Sequence, residues 1–307
     1  MMDLGGNLAV WCELGDKDQL NALALSREYP WMVLHGGPGD SLGALHIEPL
    51  QNAGIPWFGF DQRNSGLSED LDLSMIDLQL FVDDALEIAD RLGIEKFHIL
   101  GGSWGGTLAL AIAAYRPNRT ASLLLRAPFI PLRSRVDNFF ESLEQIAPDY
   151  FASNFGRGAR TEAVCECFDL ASPEDLLALS IVWNRLEFAL MTGLPFQSGV
   201  RRPVYTDLQE LAMVRKYRLQ THFLKHDFFL NQADWNQLIS KLSEAHWPLS
   251  IIQGENDRIC PPDGGRMIAG MISRIKLTNL QNTGHSLTES QMLIALSREA
   301  YRQHLLT

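Results

Sequence analysis

The chain has 307 residues, 46% of them hydrophobic, and a formal net charge of -11. That length and apolar content suffice for a large buried core, while the excess of acid excludes a phosphate-binding basic face and a basic membrane-surface patch. Four cysteines, at positions 12, 165, 167 and 260, have neither paired metal-ligand spacing nor the density of a disulfide framework, which fits a soluble protein of a reducing compartment.

The opening segment, MMDLGGNLAVWCELGDKD, lacks the basic start and sustained apolar core of a signal peptide, so a cytoplasmic location is expected. The first buried parallel strand is predicted at residues 31–34 (WMVL), followed at once by HGGPG. Two glycines and a proline leave little side chain in front of a backbone N–H. That suits an oxyanion donor at Gly37, and it equally suits a purely structural turn. A second strand is predicted at residues 55–60 (IPWFGF), then DQRNSG, where Asp61 and Arg63 are expected to brace the loop behind the site. Leu78, Phe81, Val82, Ala85, Ile88, Ala89 and Leu92 recur at helical spacing up to Gly93.

The next stretch, LGGSWGGTLALAIAAYRP, is almost free of charge and could pass for a membrane span, yet four glycines surround Ser103 and Trp104. They separate a strand, residues 97–100 (FHIL), from a helix, residues 107–116, stopped by Pro117. A strand that turns into a helix through G-x-S-x-G presents the serine hydroxyl at a tight corner. The backbone N–H of Trp104 faces the same space, where the helix start concentrates positive charge. The pattern alone is short and common, so a chance match stays open until other segments agree.

Another strand is predicted at residues 121–125 (ASLLL). From 131 to 245 only amphipathic helices are expected, so the chain divides into a first core part (1–130), a helical cap (131–245) and a second core part (246–307). Within the cap, Ser172 caps a helix with Pro173 at its first position, placing Leu176, Trp183, Glu187 and Leu190 on one face. An acid in an apolar stripe needs a cation. The candidates are a cap arginine (Arg185, Arg201 or Arg215) or the ammonium of a ligand. His222 and His226 stand four apart, but no H-E-x-x-H pattern or third ligand accompanies them, so no metal site is expected.

Strands at residues 249–253 (LSIIQ) and 275–279 (IKLTN) precede GENDRICPP and LQNTGHS, which place Asp257 at a strand end and His285 in a loop. Ser103, Asp257 and His285 follow the chain order of the α/β-hydrolase triad. The chemistry is complementary: His285 takes the serine proton, Asp257 orients the imidazole, and neither a metal nor an organic cofactor is required. The expected fold is an α/β-hydrolase fold, a mostly parallel central sheet flanked by helices, with an inserted helical cap.

Together HGGPG, DQRNSG, LGGSWGGTLALA, LLLRAPF, GENDRICPP and TGHS resemble the prolyl iminopeptidases, from about Leu8 to the last helix, most strongly in the sheet domain and weakly in the cap. The resemblance implies release of N-terminal proline, with Ser103 as nucleophile, Asp257 and His285 as partners, and Trp104 and Gly37 as oxyanion donors. It also implies that Phe129 helps form the proline pocket. In that family two cap glutamates hold the substrate's free amine. VWNRLEF keeps the first as Glu187, although Leu186 replaces a tryptophan; RLQTHFL has Gln220 in place of the second. Gln220 can accept a hydrogen bond from an ammonium without neutralising it. The implied partner is a small peptide or small-molecule substrate, not nucleic acid or a membrane. An esterase or amidase on another small substrate, and a non-catalytic binding protein on this fold, stay open. Nothing in the chain specifies an oligomeric state.

Overall fold

The short apolar runs pair edge to edge because only a neighbouring strand can satisfy their buried backbone groups. The computed structural model describes residues 8–14, 29–197 and 205–306. Its strands are β1 (Val10–Glu13), β2 (Trp31–Leu34), β3 (Trp57–Phe60), β4 (Phe97–Gly102), β5 (Thr120–Arg126), β6 (Leu249–Gly254) and β7 (Lys276–Leu280). They form one sheet in the order β1-β3-β2-β4-β5-β6-β7. All pairs are parallel except β1 with β3. The six expected strands are present, and β1 was not foreseen. β3 starts at Trp57 rather than residue 55, since Pro56 has no N–H for the ladder; its carbonyl instead accepts from Trp31 N at 2.9 Å.

Helices α1 (Ala44–Gln51), α2 (Leu78–Arg91) and α3 (Trp104–Tyr115) alternate with the early strands. Between β5 and β6 lie α4 (Arg133–Ile146), α5 (Pro148–Phe155), α6 (Thr161–Leu170), α7 (Pro173–Thr192), α8 (Asp207–Lys225) and α9 (Gln232–Glu244), with no strand among the described residues. Of these, α9 packs on α3 and on α10 (Pro262–Met271), against the sheet layer; α11 (Ser290–His304) closes the chain. The expected cap is formed, with Ser172 accepting from Asp175 N, and α7 ends at Gly193 in the left-handed region.

Alternation along the strands sends side chains to two cores. Met32 and Leu34 join α2 and α3 on one face, whereas Trp31, Val33, Leu100 and Leu124 meet Leu50, Met292 and Leu296 on the other. Helix α3 is buried from Trp104 to Ala114. An interior helix is apolar all round, which explains its resemblance to a span; no described helix is long and apolar enough to cross a membrane. β2 lies between β3 and β4, so the chain reverses direction across the sheet there. That opens a crevice at the carboxyl ends of β2 and β4, where ligands of open parallel sheets bind.

Candidate active site

Ser103 occupies the corner after β4 with φ 55° and ψ -124°, a region that costs a non-glycine residue about 1–3 kcal/mol. Its neighbours hold it there. Ser103 N donates to Arg126 O at 3.0 Å, and its carbonyl accepts from Gly106 N at 2.9 Å and Phe129 N at 3.0 Å. A Cβ on Gly101 would come 2.2 Å from Gly105 O, and one on Gly105 would come 2.4 Å from Leu34 O. The glycines therefore let α3 cross directly over the strand ends, and the helix begins at Trp104, three residues before the expected Thr107.

The loops after β6 and β7 meet backbone to backbone, with Asn256 N donating to Thr283 O at 2.9 Å. This brings Asp257 Oδ2 to 2.7 Å from His285 Nδ1. Asp257 Oδ1 accepts from Ile259 N at 2.9 Å and Cys260 N at 2.8 Å. Facing an acceptor-only carboxylate, Nδ1 carries the proton, so neutral His285 has its lone pair on Nε2. Arg126 donates to the His285 carbonyl at 2.5 Å. Cys260 Sγ lies 3.9 Å from Ser103 Oγ, and burial pushes its thiol far above the ordinary range, which keeps it neutral.

HGGPG is locked from behind. Buried His35 donates from Nδ1 to Gly36 O at 2.9 Å and accepts at Nε2 from Gln62 N at 2.9 Å. Burial lowers its pKa to about 4. Gln62 in turn donates to His35 O and accepts from Trp104 Nε1 at 2.8 Å. Asp61 accepts from Leu42 N and Leu67 N, while Arg63 pairs with Asp84 at 2.9 Å, the bracing expected of this loop. In front, Gly39 (φ +93°) touches the cap: a Cβ there would come 2.7 Å from Lys216 Cα on α8.

Ser103, Gly37, Glu187 and Ile259 line two adjoining cavities. One, about 60 Å³, has aromatic walls from Phe129, Phe139, Phe140, Trp183 and Phe228, with Gln220 beside Glu187. The other, about 320 Å³, mixes charged and apolar side chains, with His285, Arg126, Asp40, Lys216 and His46 among its lining. All the sequence-predicted residues thus converge except Asp257, buried behind His285, and Trp104, whose indole is in the core.

The partner of Glu187 is corrected. None of the candidate arginines within the described residues reaches it. Arg185 bonds Tyr150 and the Gln197 carbonyl, Arg215 bonds Asp70, and Arg201 lies outside the described residues. Instead Lys216 Nζ is 3.3 Å from Glu187 Oε2, and Tyr217 OH donates to the same oxygen at 2.7 Å. Lys216 was not among the expected partners, although it stands one helical turn before Gln220 and so shares its face. His222 donates to Ile76 O at 2.8 Å and His226 stacks on Phe229, which accounts for both imidazoles. No group of three or more metal-ligating side chains occurs among the described residues.

Residues 29–290 match the family described as alpha/beta hydrolase fold. The chain belongs to that family. It is a hydrolase of this fold, with the helical insert between β5 and β6. It is similar to the proline iminopeptidase of Xylella fastidiosa (strain 9a5c), 28% identical over 286 residues, 87% of this chain and 86% of that one. A solved structure of proline iminopeptidase from Mycobacterium smegmatis superposes with a TM-score of 0.56 at 22% identity, covering 97% of this chain and 95% of that one. A meta-cleavage product hydrolase from Pseudomonas fluorescens IP01 does so with 0.51 at 20% identity over 90% of each chain. At those identities the structural likenesses speak for the fold alone.

Proposed function

We propose that this α/β hydrolase is a serine aminopeptidase of the prolyl iminopeptidase type, releasing an N-terminal proline or small residue through an acyl-enzyme. The observation that carries the reading is the position of Ser103 between the two cavities: a small aromatic one edged by Glu187 and Gln220, and a larger one of mixed lining. A small apolar residue with a free amine suits the first, and the departing peptide suits the second. The similarity to proline iminopeptidases over 87% of the chain supports the same assignment.

In this reading His285 Nε2 accepts the Ser103 proton as Oγ bonds to the scissile carbonyl carbon, and Asp257 stabilises the resulting imidazolium. The Trp104 and Gly37 N–H groups receive the oxyanion, each worth about 3–4 kcal/mol where such donors have been removed. The C–N bond breaks as the imidazolium protonates the departing nitrogen. Water, deprotonated by His285, then releases the acid and restores Ser103. Phe129 packs on the substrate's ring, Glu187 pairs with its ammonium, and Gln220 accepts a hydrogen bond. Residues 131–245 serve as the cap over a core of 1–130 and 246–307. Four free cysteines suit the reducing cytoplasm.

The second reading is an esterase or amidase on another small substrate, favoured by the ion pair that Glu187 already makes with Lys216. A hydrolysis panel of Pro-, Ala- and acetyl-Pro-anilides beside short-chain esters separates them. Strong preference for Pro-anilide over acetyl-Pro-anilide is expected, and equal rates would decide for the second reading. Failure of an active-serine phosphonate to label Ser103 would reject both in favour of a binding protein.

A further inference from the structure

A carboxylate beside an apolar cavity attracts a cation, and Glu187 has one before any substrate arrives. Lys216 Nζ lies 2.9 Å from Asp40 Oδ1 and 3.3 Å from Glu187 Oε2, with its side chain 16% exposed. Burial opposes the ammonium charge, but Asp40 and Glu187 outweigh it and raise the lysine pKa above its ordinary value. Asp40 responds in kind: burial would raise its pKa, and Lys216 draws it below the usual carboxylate range. Two carboxylates and one ammonium leave the cluster at a net charge of about -1. All three side chains line the larger cavity together with Ser103.

We propose that Lys216 is a specificity-determining residue that competes with the substrate's ammonium for Glu187, and that Asp40 sets the strength of that competition. This rests on the reading that Glu187 receives a free amine. The incoming ammonium meets a carboxylate that is already paired. Lys216 can yield because Asp40, its nearer partner, retains it. The exchange gives up one contact instead of stranding a charge. The tethered lysine is nevertheless always present, so the gain on binding a free amine is smaller than an unpaired glutamate provides. The consequence is a narrowed preference for free-amine over neutral substrates.

The test is kcat/KM for Pro-anilide and for a neutral short-chain aryl ester in wild type, Asp40→Asn, and the double variant Asp40→Asn with Lys216→Met. Lys216→Met alone would leave two adjacent carboxylates uncompensated. The double variant keeps the cluster's charge and leaves Glu187 with Tyr217. The amine-to-ester ratio is expected to fall several-fold in Asp40→Asn, where Lys216 has only Glu187 left, and to rise about tenfold in the double variant. Equal ratios in all three proteins, or a lower ratio in the double variant, would overturn the proposal. Thermal unfolding reports whether each variant folds; if the double variant does not, a ratio in Asp40→Asn at or above wild type overturns it instead. Glu187→Gln in the same assay keeps the two levels apart. An unchanged ratio there removes the amine reading and the competition with it. A fallen ratio there, without the rise in the double variant, removes the competition alone.

Discussion

The carboxyl edge of the sheet and the helices that cover it are built by different means. At the sheet edge, backbone held against backbone does the positioning: Gly101 against Gly105, Ser103 tied to Arg126 and Phe129, and Asn256 tied to Thr283. In the cap, side chains brought together from distant segments do it: Glu187 on α7, Lys216 and Gln220 on α8, Asp40 after β2. The first arrangement tolerates almost no change in residue type. The second can be retuned one side chain at a time, so bond-breaking geometry and substrate choice are separable in this molecule.

The largest effect belongs to the sheet edge. Ser103→Ala should lose phosphonate labelling and cut hydrolysis of both anilide and ester by about three orders of magnitude or more. Its thermal unfolding should stay near wild type, because the half-buried hydroxyl faces the cavities and not the packed core. Turnover at the wild-type rate would refute the mechanism and erase the contrast. In the cap, Glu187→Gln should depress Pro-anilide kcat/KM about ten- to a hundredfold more than that of the ester. A uniform loss on both substrates would mean that the cap residue supports the edge rather than selecting.

Acid should weaken the sheet layer selectively. Burial holds His35 near a pKa of about 4 and His98 near about 3, against an ordinary 6.5. With the folded values below the unfolded ones, the unfolded chain takes up protons first. Stability is therefore complete above pH 6.5 and is lost as pH falls toward these folded values, by about 1.4 kcal/mol per pH unit for each histidine. Urea unfolding at pH 7 and pH 5 measures the slope, which His98→Gln should reduce by one proton's worth. An unchanged slope would place the acid sensitivity elsewhere.

The smallest effect is expected from Gln220→Glu, a gain of a few-fold on Pro-anilide. The added carboxylate helps an ammonium but gives up the Gln220 Nε2 bond to Pro38 O at 3.3 Å and faces that carbonyl instead. A loss confined to the amine substrate would show that Gln220 is needed as it stands.

What the chain discloses follows the same division. The elbow was legible because a backbone crossing must be written as adjacent glycines, and the strand–loop–residue order places Asp257 and His285 without knowledge of the cap. The partner of Glu187 was not legible. Arg215, which shares α8 with Lys216, is spent on Asp70, and only the folded arrangement brings Lys216 between Asp40 and Glu187. β1 was missed because VWCE is a four-residue edge strand with mixed burial; its evident anchor is Glu13, which accepts from Trp57 Nε1 at 3.0 Å.

The contact of Gly39 with the Cα of Lys216 has an engineering consequence. Helix α8 rests on the very turn that follows β2, with no side chain between them to absorb a mismatch. Residues 131–245 from a relative could not be transplanted alone: a new α8 at a slightly different height would press on residues 37–40 and disturb the turn that carries Gly37. A module for redirecting substrate choice must therefore be discontinuous and include at least the insert and residues 35–40, exchanged as a matched pair.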